Sequence, residues 1–246
     1  METSKPKQSY TIWFSQRTGS TLLYKALQST GVAGNPGELL HMCEPETAGM
    51  PEIVRIWEEG STPNGVFGMK VSMYHANHEG WLAAFRRAFN IGEDVPRSVV
   101  WETAFPNGKH IVMSRRNQVR LAVSWWRAIV SGEWHREHGQ KPSNAEISGE
   151  YSFDAISHLL TETAMREAAI EDFLTEAGIT PMTIVYEDFI ANYERTVRDV
   201  LDYLGIDQEG VRIAEPYFDR IADEVAEQWV QRFREERQAG WTNRAW

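Results

Sequence analysis

The stretch SYTIWFSQRTGSTLLYKALQSTG, residues 9–31, decides the fold. Its YTIWF segment, Tyr10 to Phe14, is aromatic and β-branched and reads as a strand. Leu22, Leu23, Ala26 and Leu27 then recur on one face of a helix that ends at Gly31. Between strand and helix lies RTGST, Arg17 to Thr21. A turn that leaves a strand and enters a helix aims backbone N–H groups and the positive end of the helix dipole at one point, which suits phosphate or sulfate. Gly19 allows close approach, Ser20 and Thr21 add hydroxyl donors, and Arg17 adds a fixed charge with several donors. A nucleoside-triphosphate loop reads G-x-x-x-x-G-K-[ST], and that lysine is absent here. Taken alone, RTGST is equally compatible with a capped turn that binds nothing.

Outward from this unit, short β-type runs continue to alternate with helical patterns. GVFGMKVSM (65–73) and KHIVMS (109–114) read as strands, followed by the helical EGWLAAFRRAF (79–89) and NQVRLAVSWWRAIVSG (117–132). A long helix is expected over 152–178, with Ser152 as N-cap and Gly178 closing it. MTIVYEDF (182–189) supplies a strand, and YERTVRDVLDYLG (193–205) a helix with Val197, Val200, Leu201 and Leu204 on one side. Strands separated by helices of this length favour a parallel sheet covered on both faces. One domain is expected over 1–246, with 1–8 flexible and the polar, glycine-containing 131–151 a surface loop.

The 246 residues suffice for one sizeable α/β domain, and a hydrophobic content of 42% places the chain among globular proteins. Packing is expected to claim most of the ten tryptophans, with some left to stack on a sugar or another flat polar group. A net charge of −10 argues against a general binder of nucleic acid or anionic membranes, so any anion site is local. The single cysteine, Cys43, excludes an internal disulfide and a four-thiolate zinc site and points to a reducing compartment. No apolar leader or membrane span is apparent, and the chain reads as cytoplasmic.

A second basic cluster raises the standing of RTGST. In HIVMSRRNQVRLAVS, Arg115 and Arg116 follow a strand end and precede a helix carrying Arg120, Ser124 and Arg127. Carboxyl ends of neighbouring parallel strands face one crevice, so Arg17 and Arg116 can converge on a ligand with an anion at each end. Ser124 lies eight residues beyond Arg116, and the two reach one group only if the chain between them bends into the helix. The alternative is a solvated arginine face over a tryptophan-rich core stripe.

At these residues the sequence resembles the sulfotransferases that use 3′-phosphoadenosine 5′-phosphosulfate (PAPS). SQRTGSTLL is similar to their 5′-phosphosulfate loop, IVMSRRNQVRLAVSWWRA to their 3′-phosphate segment and IVYEDF to their shared Y-E-D-[LF] strand end. STGVAGNPGE, RLAVSWWRAIVSGEWH and EQWVQRF resemble a bacterial branch typified by trehalose 2-sulfotransferase. The resemblance implies a three-layer, P-loop-like α/β domain with a central parallel sheet flanked by helices. It implies that Arg17, Thr18, Gly19, Ser20 and Thr21 form the 5′ loop, that Arg116 and Ser124 bind the 3′-phosphate, and that Glu38 is the catalytic base. It also implies PAPS as donor, adenosine 3′,5′-bisphosphate (PAP) as product, a hydroxyl acceptor of carbohydrate or glycolipid type, no required metal, and a homodimer. Leu39, Leu40 and His41 stand where the branch tends to have aromatic residues, which bears on acceptor identity. Arginine stands where cytosolic animal enzymes have lysine; it cannot donate a proton at neutral pH, so its role is electrostatic.

Acceptor-side candidates are His41, Lys70, His75 and Trp134, with His41 and His75 as alternative bases and Lys70 equally readable as a structural partner. The pairs His75/His78 and His135/His138 have helical spacing for a metal, but no third ligand follows, and solvated loop histidines are expected. Asp223, Glu224 and Glu227 read as an acidic first helical turn. Tyr186, Glu187 and Asp188 read as support for the loops, or Asp188 as a helix N-cap. Two rival classes remain: a small-molecule kinase, disfavoured by the missing lysine and acidic metal ligand, and a nucleotide-binding module without catalysis.

Overall fold

A computed structural model describes residues 5–141, 146–218 and 223–246, the side chains of 75 and 76 excepted. Four parallel strands form the centre: β1 (Gln8–Phe14), β2 (Val66–Ser72), β3 (Gly108–Ser114) and β4 (Met182–Val185), in the order β2-β1-β3-β4. The register runs Gln8 opposite Val66 through Phe14 opposite Ser72, and Ile12 lies opposite Ile111 on the other side. β1 begins two residues before Tyr10 because the N–H groups of Lys7 and Gln8 both donate to the Gly65 carbonyl.

The helices are α1 (Ser20–Ser29), α2 (Met50–Gly60), α3 (His75–Phe89), α4 (Arg97–Ala104), α5 (Gln118–Ser131), α6 (Phe153–Glu176), α7 (Tyr186–Ala191), α8 (Tyr193–Leu204) and α9 (Glu224–Arg237). Period-two alternation along β1 distributes its side chains to the two faces. Trp13 enters a cluster with Trp57, Phe67, Trp81, Phe85, Trp101 and Phe173, which packs α2, α3, α4 and α6 on one side. Tyr10, Ile12 and Phe14 join Leu23, Leu27, Val197 and Leu201 under α1 and α8 on the other. This is the expected three-layer α/β arrangement. Trp13, Trp57, Trp81, Trp101, Trp125 and Trp229 are buried, so packing claims most of the tryptophans.

Several local expectations change. The strand expected over 182–189 stops at Val185, and α7 begins at Tyr186, so Asp188 lies in the first turn of a helix rather than at its N-cap. His78 is 2% exposed on α3, with its ring 5.4 Å from Trp101 and 5.3 Å from Phe173, and is a core residue rather than a solvated loop histidine. Helices α2 and α4 carry no motif and were not anticipated. Within 131–151, Glu137 makes an isolated bridge with Phe218, Ile147 is buried, and residues 142–145 lie outside the described residues.

Strand order 2-1-3-4 places the topological switch point between β1 and β3, where a crevice opens at the carboxyl ends. The turns after these two strands are the two basic segments read from the sequence.

Candidate active site

The first turn is built by one glycine and one strained arginine. Gly19, at φ 85°, caps α1 in the left-handed region. A Cβ there would lie 2.7 Å from Cδ2 of Tyr186, so the ring itself occupies the space that a side chain needs. Arg17 also adopts a positive φ of 66°, a conformation that persists only where contacts over-determine it. Here they do: its Nε donates to Ser124 Oγ at 3.1 Å and its Nη1 to the Trp134 carbonyl. Burial, with Arg115 close by, lowers the Arg17 pKa to about 10, which still leaves it cationic at neutral pH. Gly19→Ala is expected to lower the melting temperature by about 2–8 °C, the left-handed penalty of an L-residue for a chain of this size. Thermal unfolding and nucleotide titration check this; an unchanged melt with unchanged binding overturns the close-approach role.

The second turn is held by a carboxylate. Glu187 accepts the backbone N–H groups of Arg116 at 2.9 Å and Asn117 at 3.1 Å. Burial works to raise its pKa, but these backbone donors and Arg115 together hold it below the ordinary carboxylate value. Asn117 caps α5 by accepting the Arg120 N–H, so the chain turns into the helix between Arg116 and Ser124. The Arg115 guanidinium lies 4.8 Å over the Tyr186 ring and donates to the Arg17 carbonyl at 3.3 Å, so the two basic turns are physically joined. Arg116 is well exposed and pairs with Asp188 at 2.7 Å, a surface contact that an incoming anion can exchange.

Between the turns lies a cavity of about 1070 Å³. Arg17, Gly19, Ser20, Thr21, Arg116, Ser124 and Trp134 all line it, together with Arg115, Tyr186 and Phe218. Thr18 belongs to the turn but its hydroxyl faces inward, fully buried, and donates to the Ser15 carbonyl at 2.8 Å. His135 is the exposed loop residue that was expected, and its ring stacks on Phe218 with centroids 4.9 Å apart at the cavity wall. Desolvation of the ring against the cavity wall, with Arg17 and Lys70 nearby, works to lower its pKa.

Glu38, His41 and Lys70 gather at a separate narrow pocket of about 10 Å³. The Lys70 ammonium, 5% exposed, lies 2.5 Å from Glu38 Oε1 and 3.2 Å from Thr21 Oγ1, and over the Phe14 ring at 4.6 Å. Burial holds its pKa below the ordinary lysine value although the Glu38 carboxylate works to raise it. His41 Nδ1 is 3.4 Å from the other Glu38 oxygen. The His75 side chain lies outside the described residues. Sequence reading missed Gln16, Ser72 and Arg166 at the same edge; Arg166 sits on α6, 150 residues from its partner Gln16, and carries no local motif.

Fold and site together define a parallel α/β protein with an arginine-lined crevice at its switch point and a lysine-paired carboxylate at the edge of that crevice. Residues 9–236 match the Stf0 sulphotransferase family, and the chain belongs to it. Trehalose 2-sulfotransferase of Mycolicibacterium smegmatis is 29% identical, over 94% of this chain and 96% of that one. Trehalose 2-sulfotransferase of Mycobacterium tuberculosis is 27% identical, over 95% and 97%. The crystal structure of a sulfotransferase from Alicyclobacillus acidocaldarius shares the fold at a TM-score of 0.53 and 13% identity, covering 95% of each chain. Family membership makes the chain a transferase enzyme. Among the described residues no helix is long and apolar enough to cross a membrane, and no group of three or more metal-ligating side chains occurs.

Proposed function

We propose that the enzyme moves a sulfuryl group from PAPS to a hydroxyl of a carbohydrate acceptor. One observation carries the reading: the buried Lys70 ammonium joins Glu38 to Thr21 of the first basic turn, so a base and an anion site share one cation. Residues present at the cavity fit the donor. A glycine turn at a helix start with Arg17 suits one anionic end, and Arg116 with Ser124 suits the other. The donor supplies the transferable sulfuryl group and, on transfer, a leaving 5′-phosphate oxygen. Arg17 and the turn amides would stabilise charge on that oxygen, the kind of fixed electrostatic contribution that dominates related phosphoryl transfers. Glu38 would accept the proton of the attacking hydroxyl as the new O–S bond forms and the old one breaks. The curated relatives, both trehalose 2-sulfotransferases, support a sugar as acceptor.

Calorimetric titration with PAP, with AMP and magnesium-ATP as competitors, tests the donor site. Binding that depends on the 3′-phosphate is expected; preference for magnesium-ATP favours the kinase alternative. Arg116→Ala is expected to weaken PAP roughly 10- to 100-fold, the loss of a charge-assisted hydrogen bond, and AMP little. Equal losses for both nucleotides remove Arg116 from the 3′ end.

A further inference from the structure

Lys70 and Ser72 stand two residues apart on β2 and therefore on one face of the sheet, about 7 Å apart along the strand. Ser72 lines the narrow pocket with Glu38, His41 and Lys70. Its hydroxyl oxygen lies 2.9 Å from Nε2 of Gln16 and 2.8 Å from Nη1 of Arg166. That same Nη1 is 2.8 Å from Oε1 of Gln16. A guanidinium has donors and no acceptor, so the Gln16 oxygen must face Arg166 and its NH₂ group must face Ser72. Ser72 thus receives two hydrogen bonds, which fill both lone pairs of its oxygen. Its own proton has one direction left, and among the described residues this pocket-lining hydroxyl donates to none.

The clamp that imposes this is rigid. Glu162 holds Nε of Arg166 at 2.9 Å and Nη2 at 2.8 Å, and the rings of Tyr74 and Trp125 lie 5.7 and 5.3 Å from the guanidinium. Both strand ends are held too, because Gln16 precedes Arg17 and Ser72 ends β2. An oriented donor beside a carboxylate makes a two-point site: one acceptor hydroxyl gives its proton to Glu38 while a second oxygen accepts from Ser72. A lone alcohol satisfies Glu38 and leaves the Ser72 proton unpaired as water is expelled, which is costly.

We infer that Ser72 is a further acceptor-binding residue that selects polyhydroxylated acceptors over simple alcohols, with Gln16 and Arg166 as positioning residues acting through it. The inference rests on the donor and base assignments above. Initial rates of sulfuryl transfer from PAPS to trehalose, glucose and 1-hexanol, with PAP affinity measured separately, test it in the native enzyme, Ser72→Ala and Ser72→Thr. Ser72→Ala is expected to lower kcat/KM for the sugars about tenfold, the loss of one hydrogen bond, while hexanol transfer, freed of the unpaired hydroxyl, does not fall and PAP affinity is unchanged. Ser72→Thr is expected to restore the sugars. Equal loss on all acceptors, or no loss, with PAP affinity intact overturns the inference and leaves the donor reading standing. PAP binding without transfer to either sugar also overturns it. Failure of the native enzyme to bind PAP overturns the donor reading, and this inference with it.

Discussion

Arg17→Ala is expected to lower kcat by about 10²–10³-fold, the usual loss when one preorganised charge-stabilising group is removed. The side chain ties the first basic turn to α5 and to the 131–151 segment, donating at once to Ser124 and to the Trp134 carbonyl. Truncation removes the charge nearest to where the leaving oxygen is expected to form. It does not relieve the backbone, because alanine tolerates φ 66° no better than arginine does. The variant should therefore unfold within a few degrees of the native protein, and its defect should lie in turnover. Arg17→Lys separates charge from geometry. A lysine keeps the charge but lacks the planar fork that reaches two acceptors in fixed directions, so recovery should be partial. With a pKa of about 10 for the native side chain, neither turnover nor its loss should depend on Arg17 protonation below pH 9. Single-turnover rates beside a thermal melt make the measurement, and full activity in Arg17→Ala removes the residue from the mechanism.

The readings that succeeded from sequence were those with local causes. RTGST is one strand end, one glycine and one helix start, so its placement at the cavity follows from ten or so consecutive residues. Arg116 and Ser124 line the same cavity, although the turn between them depends on Glu187, seventy-one residues beyond Arg116, accepting two amides, and Ser124 is bonded by Arg17 rather than Arg116. Lys70 left two readings open, and the geometry shows the paired one: it is the partner of Glu38, at a narrow pocket whose acceptor role belongs to the proposal. What failed was set by tertiary packing. His78 has the same residue type and spacing whether solvated or buried, and only the closure of Trp13, Trp101 and Phe173 around it decides. Asp188 resembled a cap because β4 looked longer than it is; the chain turns helical at Tyr186, where the ring must pack on Gly19. The Gln16–Ser72–Arg166 clamp draws on the turn after β1, on β2 and on α6 at once, and no window of the sequence contains it.

Glu38→Gln is expected to reduce kcat by roughly 10²–10⁴-fold, the range for removing a general base, with PAP affinity nearly unchanged. The substitution preserves shape and removes both the proton acceptor and the charge that balances Lys70. Those two consequences need separating, because Lys70 is buried and its ammonium, already below the ordinary lysine value through desolvation, loses the carboxylate that works against that shift. A drop in rate could then reflect a disordered Lys70 and a weakened contact to Thr21 rather than lost base chemistry. The double variant Glu38→Gln/Lys70→Met resolves this. An apolar side chain of similar length removes the unbalanced buried charge, so the double variant should melt above Glu38→Gln alone. It should remain as slow as the single variant, since no base has been restored. Recovered turnover in the double variant would show that Glu38 serves only to neutralise Lys70, and the proton would then have to pass to His41, whose Nδ1 lies 3.4 Å from the same carboxylate. A slow double variant with native-like stability and PAP affinity leaves the carboxylate itself as the group that takes the acceptor's proton.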